Sequence, residues 1–232
     1  MARRRRIAVL ISGSGTNLQA LIDACASGVL PHTDISLVFS NRKAAYGLIR
    51  AAQASPPIPT AYLALQPYLK SHPNSTREDY DEEVAWRVRK VSPDLVVLAG
   101  WMHVLSERFL DVMEGKLGEA QSSDVSTTTE ARAIPVINLH PALPGAFDGA
   151  NAIDRAFEAF QRGEIAKTGV MVHKVVKEVD RGEPILVQEI EFHDGESKEN
   201  FEKRLHETEW TIIVAAAKKV LEEYIPVGID AP

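Results

Sequence analysis

One cysteine in 232 residues, Cys25, leaves no partner for an internal disulfide and suits a reducing compartment. Its neighbours from Asn17 to Ala24 follow a helical apolar pattern, so it reads as a structural thiol rather than a reactive one. No apolar run approaches the roughly 18 residues of a membrane span. The Arg3 to Arg6 cluster leads only into the short stretch Ile7 to Ile11, which excludes a spanning or exported chain and makes a cytoplasmic location the expectation. That cluster reads as a solvated lead-in to the first strand. Excess positive charge is also missing: 26 Lys and Arg against 32 Asp and Glu leave a net charge of −6, which excludes a general nucleic-acid binder. His32, His72, His193 and Cys25 lack zinc-ligand spacing, so no metal site is expected. The absence of a Gly-x-Ser-x-Gly elbow removes the obvious serine nucleophile. Internal repeats are absent as well.

What is present is the composition of an ordinary globular chain, 45% hydrophobic and 25% charged, long enough for one α/β domain spanning 1–232. Strand-like runs fall at Arg6 to Ser12, Ile35 to Ser40, Thr60 to Leu65, Leu95 to Gly100, Ile134 to His140, Gly169 to Val176 and Pro184 to Phe192. Helical patterns at Asn17 to Cys25, Tyr46 to Ala54 and Arg77 to Val91 separate several of them. This alternation predicts a Rossmann-like α/β fold, a mostly parallel twisted sheet with helices on both faces. The last two strands, joined across Lys177 to Glu183, predict an antiparallel pair before a closing helix from Ser197 to about Tyr224. Residues 115–132 hold few large apolar side chains and no periodicity, which predicts a mobile surface insertion.

Three motifs carry chemistry. Ser12-Gly13-Ser14-Gly15-Thr16-Asn17 joins a strand to a helix, where glycines permit a close turn and free N–H groups attract a phosphate. It has neither dinucleotide-fingerprint spacing nor a P-loop lysine, which favours a mononucleotide or sugar phosphate. Alone, it is also compatible with a bare tight turn carrying an Asn or Thr cap, the less favoured reading. In Val136-Ile137-Asn138-Leu139-His140-Pro141, period-two alternation turns Asn138 and His140 to one side at the carboxyl end of a strand, where parallel sheets bind ligands. Two polar residues satisfying a loop is the competing reading. Asp180, in the turn Val179-Asp180-Arg181-Gly182-Glu183-Pro184, could orient that imidazole or order a water, although such a turn is commonplace by itself. His173 reads as a strand histidine facing a neighbour.

Taken in order with Asp94 to Met102 and Asn138 to Pro144, these segments resemble the phosphoribosylglycinamide formyltransferases (glycinamide ribonucleotide transformylases), a folate-dependent formyltransferase family, along nearly the whole chain. The resemblance implies transfer of a formyl group from 10-formyltetrahydrofolate, a co-substrate, to the amine of 5′-phosphoribosylglycinamide in purine biosynthesis. It implies direct attack through a tetrahedral intermediate, with Asn138, His140 and Asp180 as the catalytic set. Gly15, Thr16 and Asn17 match the family's substrate-phosphate site, and His206 and Glu209 the region reaching the substrate. For the folate, Arg77 matches a basic residue near the glutamate tail, Met102, His103, Val104 and Leu105 the pterin pocket, and Val176 to Asp180 the loop closing it, with Asn138 at its inner end.

The chain departs from the family's pattern after His140. His140-Pro141-Ala142-Leu143-Pro144 is one leucine short, and Gly145 to Asn151 stands where bacterial members carry histidines. The expected partners are the two small molecules, with no nucleic acid and no membrane, in a monomer or homodimer. Formyltetrahydrofolate hydrolase shares the chemistry but typically carries a regulatory domain before the first strand. Formyl-methionyl-tRNA transferase needs an added nucleic-acid-binding domain and a basic face. A non-catalytic nucleotide-binding module would have no reason to keep Asn138, His140 and Asp180 together.

Overall fold

The computed structural model describes residues 3–117 and 132–224. Seven strands form one sheet: β1 (Arg5–Ile11), β2 (Thr33–Ser40), β3 (Thr60–Tyr62), β4 (Leu95–Leu98), β5 (Val136–His140), β6 (Lys167–Lys174) and β7 (Pro184–Glu191). Their order is β3-β2-β1-β4-β5-β6-β7. The five strands from β3 to β5 run parallel, whereas β6 is antiparallel to β5 and β7 to β6. The Rossmann-like, mostly parallel sheet expected from the sequence is present, and its antiparallel end involves two pairings.

Helices α1 (Thr16–Ser27), α2 (Tyr46–Gln53), α6 (Ala152–Gln161) and α7 (Lys198–Tyr224) bear on one face. On the other lie α3 (Leu65–Ser71), α4 (Arg77–Arg89) and α5 (Glu107–Met113). Strand β1 divides its side chains between two cores, with Ile7, Val9 and Ile11 against α1 and α7, and Ala8 and Leu10 against α4 and α5. Covered on both faces, it is a continuous apolar run rather than an alternating one.

Local sequence sets the element ends. Thr76 and Asp79 form a reciprocal capping box at the start of α4, satisfying backbone donors that the helix leaves open. The expected strand from Thr60 to Leu65 pairs only through Tyr62, because it is the sheet edge and Leu65 already begins α3. Helices α3, α5 and α6 have no counterpart among the helical patterns read from the sequence. The last follows Phe147, Gly149 and Asn151, all at positive φ, a backbone path that apolar spacing does not signal. Most of the expected insertion, residues 118–131, lies outside the described residues. No described helix is long and apolar enough to cross a membrane.

Candidate active site

Strand order reverses on either side of β1 and β4, and there loops from the two halves of an α/β sheet part to leave a crevice at the carboxyl ends of the strands. Strand β5 delivers Asn138 and His140 to it on one face, as period-two geometry requires. The antiparallel register sets His173 of β6 directly opposite Asn138. From the β6–β7 connection comes Asp180, held at φ +56°. Gly182, two residues on, lies so close to β6 that a Cβ there would sit 1.6 Å from the Lys174 carbonyl oxygen.

These four side chains form one network. Asn138 Nδ2 donates to Asp180 Oδ1 over 3.2 Å and lies 3.2 Å from His173 Nε2. Asp180 Oδ2 accepts from the Gly149 N–H at 2.8 Å and approaches His140 Nδ1 to 3.4 Å. His173 Nδ1 lies 2.8 Å from the Lys174 carbonyl, an acceptor only, and its Nε2 also lies 3.4 Å from Asp180 Oδ1. Arg181 pairs with Asp148 at 2.6 Å, tying the Asp180 loop to the loop that carries Gly149.

Burial pushes His140, 3% exposed, below the ordinary histidine value of 6.5, and it outweighs the opposing influence of Asp180 and the Ala146 backbone. Its Nε2 is buried with no hydrogen-bond partner, while Nδ1 faces Asp180. For Asp180, burial alone would raise the value. The His173 imidazole, the Gly149 N–H and His140 together outweigh that and hold its carboxyl below the usual range. The pair therefore sits as carboxylate beside neutral imidazole, ready to move a proton.

A cavity of about 490 Å³ opens from this network. Asn138, His140, His173 and Asp180 form its polar part, and Trp101, Met102, Val104, Leu105, Val176 and Val179 contribute apolar wall. Size and lining suit a flat heterocycle held by a few polar groups. Met102 is 68% exposed and Val104 50%, apolar surface that a ligand would cover.

A second cluster lies at the start of α1. Gly15 caps this helix in the left-handed region (φ +71°), and its Cα side is packed so tightly on Gly47 that a Cβ would come within 2.6 Å of the Gly47 Cα. Helix α2 holds two successive carbonyls of the turn: Gly47 N–H donates to Gly13 O (3.1 Å) and Arg50 Nε to Ser14 O (2.8 Å). Across a trans peptide the N–H points opposite to the C=O, so the N–H groups of Ser14 and Gly15 are turned away from α2. From α7, Glu209 Oε2 accepts from Asn17 Nδ2 (3.3 Å) and lies 2.8 Å from His206 Nδ1. The Glu209 hydrogen bond raises His206 above its ordinary value.

Asn138, His140 and Asp180 are thus brought together, and Met102, His103, Val104, Leu105 and Val176 line the cavity with them. Gly15, Thr16, Asn17, His206 and Glu209 assemble beside it rather than in its wall. Arg77 stands outside the lining, where its guanidinium donates to the Val104 carbonyl and braces that segment from behind. The sequence reading missed His173 and Gly149 as members of the network. The β5–β6 register, which only the folded sheet supplies, was the signal needed. Cys25 behaves as a structural thiol, its pKa pushed up to about 11 by burial.

The sequence matches the formyl transferase family over residues 5–117 and 126–217. The chain belongs to that family. This formyl transferase is 47% identical over 219 residues to the phosphoribosylglycinamide formyltransferase of Schizosaccharomyces pombe, covering 94% of this chain and 97% of the relative. It is 39% identical to that of Saccharomyces cerevisiae over 229 residues, 94% of this chain and 98% of the relative. Its fold is similar to the crystal structure of glycinamide ribonucleotide transformylase 1 from Symbiobacterium toebii, with a TM-score of 0.76 and 30% identity, covering 95% of this chain and 89% of that one. The gap in the family match, between 117 and 126, falls inside the expected insertion.

Proposed function

We propose that this formyl transferase moves the formyl group of 10-formyltetrahydrofolate onto the amine of 5′-phosphoribosylglycinamide, the activity for which relatives 39 to 47% identical over nearly its full length are named. The observation that carries the reading is the meeting of Asn138, His140 and Asp180 at the polar part of the cavity, beside the Gly15 to Asn17 turn.

The folate supplies an activated formyl carbon. The cavity fits such a molecule in volume and lining, and Met102 to Leu105 with Val176 would hold its flat ring. The outward-turned N–H groups near Gly15 would receive the substrate phosphate at the positive end of α1, with Thr16 and Asn17 in its first turn. Glu209 and His206 would accept and donate to the ribose beside it. The amine then lies near the catalytic network. Asn138, and His140 once the Asp180 relay has delivered it a proton, hydrogen-bond the negative charge developing on the formyl oxygen, a role in which losing one donor costs about a hundredfold to a thousandfold. Asp180 holds the His140 ring and passes protons through a water. Each step is a proton or hydrogen-bond task, and direct transfer needs no covalent enzyme nucleophile.

The test is a formyl-transfer assay with phosphoribosylglycinamide, water or initiator tRNA as acceptor, on the natural chain and on Asp180→Ala. Efficient reaction with the first acceptor only, abolished in the variant while it still binds phosphoribosylglycinamide, is expected. Release of formate to water at a comparable rate would favour a hydrolase, and full activity of the variant would reject the role of Asp180.

A further inference from the structure

Asp81 is completely buried on α4, takes no part in the chemistry above and lies outside the cavity lining. Both its oxygens are nevertheless committed to the segment that forms the cavity wall. Oδ1 is 2.6 Å from His103 Nε2, and Oδ2 accepts from the Ser106 N–H at 2.9 Å. The His103 ring is held edge-on to Tyr80 (centroids 5.5 Å apart, 83°) and to Trp101 (6.2 Å, 87°), and its side chain is 12% exposed. Its other nitrogen, Nδ1, has no partner among the described residues and is not sealed from solvent, on a residue that lines the cavity.

We propose that Asp81 is a positioning residue that fixes the tautomer of His103, so that His103 Nδ1 accepts a hydrogen bond from an N–H of the bound folate. The proposal rests on the folate reading of the cavity. A carboxylate offers only lone pairs, so the imidazole must direct a proton at it from Nε2. In the neutral ring Nδ1 then carries the lone pair, because the hydrogen bond made by one ring nitrogen sets the tautomer and orientation of the other. The wall of the cavity thereby presents an acceptor at His103. It welcomes a ligand N–H, which both the pterin and the benzoyl amide of a folate carry, and repels a carbonyl at the same place.

Asp81→Asn tests this with little change of shape. The new amide keeps the Ser106 bond through its oxygen and turns its NH₂ toward His103 Nε2, which drives the imidazole proton to Nδ1 and converts acceptor into donor. With ¹⁵N-labelled histidine, NMR should report the Nε2–H tautomer at His103 in the natural protein and the Nδ1–H tautomer in the variant. The Kd of tetrahydrofolate by calorimetry and the KM for 10-formyltetrahydrofolate should rise about tenfold to a hundredfold, the effect of an unmatched polar group. The KM for phosphoribosylglycinamide should stay within about twofold, as its contacts lie on α1 and α7. His103→Gln, which leaves Asp81 a donor, should raise the tetrahydrofolate Kd similarly, and keeps the question answerable should Asp81→Asn not fold. An Nδ1–H tautomer in the natural protein would overturn the proposal. So would equal changes in KM for both substrates, or an unchanged Kd in His103→Gln. Failure of tetrahydrofolate to bind the natural protein would instead sink the folate reading, and the ligand half of this proposal with it.

Discussion

Replacing Gly182 by alanine adds one methyl group and should disable an active site whose reacting groups it never touches. A Cβ at this position would lie 1.6 Å from the Lys174 carbonyl oxygen, 2.7 Å from its carbon and 3.2 Å from His173 Nδ1. Carbon and oxygen tolerate an approach of about 3.3 Å, so the turn must retreat by roughly 1.5 Å or more. The obstacle is the backbone of β6, locked in pairs with β5 and β7, and it cannot swing aside like a side chain. Asp180 moves with the turn, and its bonds to Asn138 (3.2 Å) and Gly149 (2.8 Å) leave no slack for such a shift. A displacement of about 1 Å can cost a hundredfold in rate, so kcat should fall by roughly that factor or more. Steady-state formyl transfer, with phosphoribosylglycinamide binding measured in parallel, separates this from loss of the proposed substrate site on α1 and α7. A variant within twofold of natural kcat would refute the claim that the turn is held by contact with β6.

Gly15→Ala combines a positive φ with a Cβ 2.6 Å from the Gly47 Cα, which should destabilise the protein by about 1–3 kcal/mol in thermal unfolding and raise KM for phosphoribosylglycinamide but not for folate. Because burial holds His140 below its ordinary 6.5, the neutral ring persists into mild acid, and the acidic limb of kcat/KM should lie below about pH 6.5. A limb well above that value would contradict the assignment. His206 has the opposite sign: its value is raised by Glu209, so the pair's contribution to stability is fully present below about pH 6.5 and lost as pH climbs through the raised folded value. Melting curves of natural protein and His206→Asn should therefore converge toward alkaline pH.

The sheet and four of its seven described helices, α1, α2, α4 and α7, were legible because their signals are local. Strand β1 is an unbroken apolar run, α4 opens on Thr76 with Asp79 three residues on, and Asn138 and His140 are two apart on a strand, so one face for both follows from the pleat. What stayed hidden depends on pairing between distant segments. His173 enters the network because β6 runs antiparallel to β5 in a register that sets it opposite Asn138, and no spacing within β6 encodes that partner. Gly149 donates to Asp180 only because three residues at positive φ, Phe147, Gly149 and Asn151, fold the loop back. Asp81 looked like one more charge on a helix whose sequence is rich in them, and its role appears only once His103 and Ser106 are seen above it.

The bond between Asn17 and Glu209 joins residues 192 positions apart, and α7 packs on α1 along the same seam. A ribosome therefore delivers the Gly15 to Asn17 turn 192 residues before Glu209, so a nascent chain stopped before α7 would hold half of the proposed substrate site. If that site receives the sugar phosphate as proposed, competence to bind it arrives only with α7, and loss of α7 would remove it while leaving Asn138, His140 and Asp180 in the chain.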